Sequence, residues 1–221
     1  MDISNYEVHR SNRRSVAIQI TPIGTIIVKA PYLLPKFLVD QFVERKMTWI
    51  QKKIAVATKF PLQIKKNIEQ NDTYYYLGTP YAVNIGNFKE ISRTQTLNFP
   101  RHLLFRGKTE LTNWYINEAK RVITERATYF AKSMKTTYRR ISYSDTSSKW
   151  GSCAPDNSLQ FNWRLVMAPI IVLDYVVVHE LAHTNEKNHG PKFWRIVAAQ
   201  KPAYKQHIKW LKENANKLQM V

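Results

Sequence analysis

The stretch Pro169-Ile170-Ile171-Val172-Leu173-Asp174-Tyr175-Val176-Val177-Val178-His179-Glu180-Leu181-Ala182-His183 decides how this chain is read. A bulky apolar run leads straight into a His-Glu-x-x-His pattern. The β-branching of the run alone allows a strand. A strand, however, sets His179 and His183 about 13 Å apart, too far to share one ion. On a helix, four residues turn through about 400°, so both imidazoles leave the same face one turn apart. That spacing suits a single zinc ion, which takes imidazole nitrogen at about 2.0–2.1 Å. Glu180 lies about 100° around the helix from His179, so it flanks the metal without binding it. There it is placed to take a proton from zinc-activated water, whose pKa falls toward about 7. Pro169 suits the first turn of this helix.

A catalytic zinc usually has three protein ligands and one open position. Glu186 stays on the stripe of the two histidines, but seven helical residues carry it about 10.5 Å from His179. His189 on a continuing helix faces the wrong side, about 240° away from His183. It can reach the ion only if the helix ends between them, and Asn185, Asn188, Gly190 and Pro191 supply that break. His189 is therefore the expected third ligand. His207, on the last predicted helix, is the alternative. His9 and His102 stand alone. The spacing matches that of metzincins, but those place a glycine at the turn where this chain has Glu186.

The segment before the helix runs Ser147-Ser148-Lys149-Trp150-Gly151-Ser152-Cys153, then Leu159-Gln160-Phe161-Asn162-Trp163-Arg164-Leu165. A turn at Pro155-Asp156-Asn157 joins them as a hairpin. Two readings stand side by side for Leu159, Phe161, Asn162 and Trp163. They form an edge strand that pairs with an extended substrate, or a core strand with its aromatics packed inward. Cys153 reads either as a small buried residue or as a thiol near the metal. Tyr143, Tyr175, Asn162 and His207 are the open candidates for a second oxyanion donor.

The rest of the chain shifts from strand to helix. Ser15–Ile20 and Thr25–Ala30 read as strands around a Pro22-Ile23-Gly24 turn, and 73–87 as a hairpin whose sheet 91–105 continues. Phe37 to about Lys59 has helical periodicity, with Phe37, Leu38, Phe42, Val43, Trp49 and Ile50 on its apolar face. Thr109–Met134 carries a second stripe from Trp114 to Ala131. Short strands are expected at 140–145 and 158–166, and two further helices start at Pro191 and near Ala203.

Composition narrows the class. The chain has 221 residues, a single cysteine and a formal net charge of +18. One cysteine excludes an internal disulfide framework and a cysteine-rich structural zinc site. At 44% hydrophobic residues the chain is not a disordered one. The longest apolar stretch, 166–178, is broken by Pro169 and Asp174 and is too short to span a bilayer. The first residues, Met1 to Glu7, lack the order of a signal peptide, so a cytoplasmic protein without a membrane partner is expected. The charge points to an anionic partner, DNA or another polyanion first, although it is spread and the C-terminal third is the least basic.

Trp150-Gly151-Ser152-Cys153, Asn162-Trp163-Arg164-Leu165, Ala168-Pro169, Asp174-Tyr175-Val176, the His179–His183 motif, Asn188-His189 and Phe193-Trp194 together resemble the YgjP-like metal-dependent hydrolases. The N-terminal strands and the Trp49-Ile50 helix are also similar, so the resemblance covers nearly the whole chain. It implies a zinc metallopeptidase of the gluzincin-like minimal type, with one Zn2+ per chain. Carried over by position, it makes His179, His183 and His189 the ligands and Glu180 the general base. Thr184 departs from the leucine frequent there in the family, a matter of packing more than chemistry. SprT-like and WLM-type proteases, which act on DNA-associated protein, are similar in the metal motif.

The expected fold is α+β, a zincin-like minimal metallopeptidase core over 106–221 preceded by a β-rich part with one helix over 1–105. The expected activity is hydrolysis of a peptide or protein substrate. The competing readings are a basic nucleic-acid-binding module with a structural metal site, and a protease recruited to DNA.

Overall fold

The computed structural model describes residues 6–20, 25–51, 54, 67–146 and 148–219. They fall into two compact units that meet in sequence near residue 63.

In the first unit, β1 (Glu7–Ser11), β2 (Ala17–Ile20) and β3 (Ile26–Pro31) form a sheet of order β1-β3-β2. β3 pairs parallel with β1 and antiparallel with β2. The two strands expected from the β-branched runs are thus present, while the turn at Pro22-Ile23-Gly24 lies outside the described residues. β1 escapes sequence reading because Glu-Val-His-Arg-Ser offers one apolar residue and no alternation. Helix α1 (Lys36–Arg45) follows. The periodicity predicted one helix from Phe37 to about Lys59, but a turn at Lys46 interrupts it, helix resumes over 47–51, and residues beyond 54 up to 66 lie outside those described. Its inward residues are Val39, Val43 and Ile50, packed with Ile26, Val28 and Ala30. Phe37 and Trp49 are exposed.

The second unit contains the expected hairpin, β4 (Thr73–Tyr76) and β5 (Thr79–Gly86), in a sheet completed by β7 (Leu97–Pro100) and β6 (Ser92–Arg93). The hairpin turn, Leu77-Gly78, has φ of 47° and 82°, the left-handed pair that twists two strands correctly. Its amides dock on the segment that leads into the motif helix. Leu77 N–H donates to Val166 O at 2.7 Å and Gly78 N–H to Met167 O at 3.1 Å. A Cβ at Gly78 would stand 2.8 Å from Pro169 Cα, so only glycine allows this approach. These contacts, with Tyr115 Oη donating to Tyr75 O at 2.7 Å, tie β4–β7 to the motif-bearing part. The chain therefore divides near 63 and not near 105, where composition shifts.

Helix α2 (Gly107–Ser133) buries Leu111, Tyr115, Ala119, Val122, Ile123, Ala127, Phe130 and Ala131 along one stripe. A third sheet has the order β8 (Ile141–Ser144), β10 (Leu159–Asn162), β9 (Gly151–Cys153). β10 runs parallel to β8 and antiparallel to β9. A 3-10 turn over Trp163–Met167 then delivers the chain to helix α3 (Ile170–Asn185), followed by α4 (Pro191–Gln200) and α5 (Tyr204–Asn214). The architecture is α+β, and α3 stands at the centre of the second unit. α3 is apolar on nearly every side because α2, α4, α5 and β9 all pack on it. Among the described residues, no helix is long and apolar enough to cross a membrane.

Two carboxyl groups are buried in α3, those of Asp174 and Glu180. Asp174, 4% exposed, accepts from Arg126 Nε and an Nη at 2.6 and 2.8 Å and from Lys201 Nζ at 2.8 Å. It joins α2, α3 and the end of α4. Asp174→Ala leaves two partly buried cations unmatched. The expected loss is about 3 kcal/mol of unfolding free energy, read from urea midpoints at constant m-value. A loss under about 1 kcal/mol would show that the pair does not hold these helices.

Candidate metal centre

α3 brings His179 and His183 to one face, as the four-residue spacing requires. The helix stops at Asn185, and Glu186 is already extended, with φ −135° and ψ 105°. Gly190 and Pro191 open α4, so the chain turns back within a few residues and carries His189 to the other two histidines. His189 Nε2 stands 3.0 Å from His179 Nε2 and 3.2 Å from His183 Nε2. One ligand atom from each of the three lies within 4.8 Å of the others. Nitrogens bound to one tetrahedral ion at 2.0–2.1 Å stand roughly 3.3 Å apart, so the cluster fits one zinc.

The outer faces of the rings are fixed. His183 Nδ1 donates to Glu186 O at 3.0 Å, which leaves Nε2 as a lone pair aimed inward. Tyr175 Oη lies 3.4 Å from His179 Nδ1, one helical turn back. Phe193, fully buried on α4, forms the floor, with its ring centre 4.4–4.9 Å from all three imidazoles. Trp194 stacks on Tyr204 and flanks His189 at 5.8 Å. Burial, then the neighbouring His183 and His189, pushes the pKa of His179 down to about 3, and burial lowers that of His183 as well. His179 and His183 are thus neutral imidazoles, ready to accept a cation.

Glu180 is 5% exposed, and burial pushes its carboxyl up to about 8, against the opposing pull of Lys149. Gly151 of β9 makes room for it. A Cβ there would meet Glu180 Cγ and Oε1 at 2.7 Å and Cδ at 2.9 Å. A pocket of about 290 Å³ is lined by Gly151, Ser152, Cys153, His179, Glu180, His183, Lys187 and His189. Gly151→Ala is expected to push the carboxyl aside and lower kcat/KM by about 10²-fold with metal content unchanged. Wild-type turnover of Gly151→Ala would show that the close approach is irrelevant.

The substrate-edge expectation for Leu159, Phe161, Asn162 and Trp163 requires correction. β10 is hydrogen-bonded on both sides, so it has no free edge. All four residues are 3% exposed or less. Asn162 is engaged as a cap: its Oδ1 accepts from Arg164 N–H at 2.9 Å and its Nδ2 donates to Thr146 O at 2.7 Å. The strand beside the pocket with one hydrogen-bonded neighbour is β9. Asn162 N–H donates to Trp150 O at 2.8 Å and Ala154 N–H to Ser158 O at 2.8 Å. By antiparallel alternation, the amides and carbonyls of Gly151 and Cys153 then point to the free edge.

None of the four oxyanion candidates lines the pocket. Tyr143 Oη is held near Thr124 Oγ1 and donates to Lys120 O. Tyr175 is on the outer side of His179. His207, 9% exposed, packs beside Tyr175 and not with the histidine cluster. Cys153 does line the pocket, half-buried.

Among curated proteins, none matches the sequence. The metallopeptidase zymogen of Methanocaldococcus jannaschii jannalysin, a crystal structure, is similar at 22% identity and a TM-score of 0.36, over 41% of this chain and 95% of that one. The family described as YgjP-like, metallopeptidase domain, matches residues 14–214. That match spans both units and the whole histidine cluster, so the chain belongs to the YgjP-like metallopeptidases and is a metal-dependent hydrolase.

Proposed function

We propose that this protein is a zinc peptidase in which His179, His183 and His189 hold one Zn2+ and Glu180 is the general base. The observation that carries the reading is the convergence of three imidazoles, with His189 Nε2 at 3.0 and 3.2 Å from those of His179 and His183, in a pocket that also contains a buried carboxyl. When bound, zinc supplies a Lewis acid that polarises a carbonyl and acidifies water.

The chain's own residues do the remainder. Phe193 excludes water from beneath the cluster, so charges above it are weakly screened. The outward amides and carbonyls of Gly151 and Cys153 take the substrate as an added strand, which fixes its backbone across the pocket. Glu180, held against Gly151, takes a proton from the attacking water and returns it to the leaving amine. Its position in the pocket beside the three histidines supports this role, because a general base must lie within reach of the water that it deprotonates.

The test is peptide cleavage before and after removal of metal. A chelator should abolish cleavage, and one equivalent of Zn2+ should restore it. Cleavage that survives complete removal of metal would contradict the proposal.

A further inference from the structure

Two ammonium groups lie against β9 and meet no carboxylate within 4.0 Å among the described residues. Lys149 stands two residues before the strand, exposed, and donates to Ser152 Oγ at 3.0 Å. Lys187 lies on the loop between His183 and His189 and reaches the other end of the strand. There it donates to Asn157 Oδ1 at 2.6 Å and Ala154 O at 3.3 Å, and lies 3.7 Å from Cys153 Sγ. All of these partners are neutral. Asp156, the acid on the same turn, is already matched by Arg139 at 2.7 Å. The one carboxyl that lines the pocket is Glu180, and it is buried. β9 therefore carries positive charge at Ser152 and at Ala154, and of the two only that of Lys149 is felt by the Glu180 carboxyl.

A chain laid along β9 passes both ammonium groups, one at Ser152 and one at Ala154. Side chains of opposite charge gain there, and basic ones are repelled. The gain exceeds that between fully hydrated ions because the pocket wall displaces water on one side. Lys187 acts through its charge, since its donors already have acceptors. Lys149 has one contact and can turn toward a ligand.

We infer that the substrates are acidic peptides, with Asp or Glu close to the cleaved bond selected by Lys149 and Lys187. The inference rests on the peptidase reading above and names the substrate class of that site. It also gives the positive charge of the chain a local use at the edge where a substrate would bind.

The experiment uses the full chain loaded with Zn2+ and a peptide mixture randomised over Asp, Asn and Lys around the cleavage position, with products read by mass spectrometry. Acidic peptides are expected to show kcat/KM about tenfold above their Asn counterparts, with Lys counterparts lowest. The ratio should shrink toward one as salt rises to about 1 M, where the screening length is about 3 Å. Lys149→Gln should reduce the acidic preference and Lys149→Glu should reverse it. Cleavage of all three classes at equal rates would overturn the inference while the peptidase reading stands. An acidic preference unchanged in Lys149→Glu would overturn the assignment to these residues. Absence of cleavage for every peptide would overturn the peptidase reading and this inference with it.

Discussion

Glu180→Gln is expected to retain one metal ion per chain and to lose turnover by about 10²–10⁴-fold, the range a positioned general base contributes. The substitution is nearly isosteric, so the close fit against Gly151 survives. Gln cannot accept the proton of an attacking water. The burial that raises the Glu180 carboxyl to about 8 also favours a neutral side chain at this place, so Glu180→Gln should fold at least as stably as wild type. Loss of rate without loss of stability or metal separates a chemical role from a structural one. A Glu180→Gln protein as active as wild type would remove Glu180 from the chemistry.

His189→Ala is expected to leave the fold intact and to release the metal. His189 is exposed and sits on the turn between α3 and α4, whereas His179 and His183 are part of the buried helix. Its removal costs no core packing, which makes it the cleanest of the three ligand deletions. A catalytic zinc reduced to two protein ligands falls below the usual set of three. Elemental analysis after dialysis should give close to one zinc per wild-type chain and well under one in His189→Ala. Excess Zn2+ should raise wild-type stability by about 4 kcal/mol at a thousand times its Kd, and the variant far less. Equal zinc content in the two proteins would take His189 out of the ligand set.

The centre of this site is legible in sequence because helical geometry is local. Four residues make one turn whatever surrounds them, so His179 and His183 share a face once the helix is granted. His189 is legible for a related reason: Asn185, Asn188, Gly190 and Pro191 mark where the helix must stop. The substrate edge is not legible in the same way. Leu159 and Phe161 carry the strong strand signal, and that signal reports burial, which belongs to the middle strand of a sheet. The edge itself, Gly151-Ser152-Cys153, has no apolar alternation to announce it. The role of Gly151 depends on Glu180 arriving 29 positions later in the chain, a contact no local pattern encodes. The boundary near 63 is hidden for the same reason, since β4–β7 join the second unit through contacts such as Leu77 with Val166.

The most direct test of the central claim is the X-ray absorption fine structure at the zinc edge of the zinc-loaded wild-type protein. Three imidazole nitrogens at about 2.0–2.1 Å are expected, with one oxygen completing the shell. A sulfur scatterer at about 2.3 Å, which would bring Cys153 into the ligand set, or a shell with fewer than three imidazoles, would contradict it.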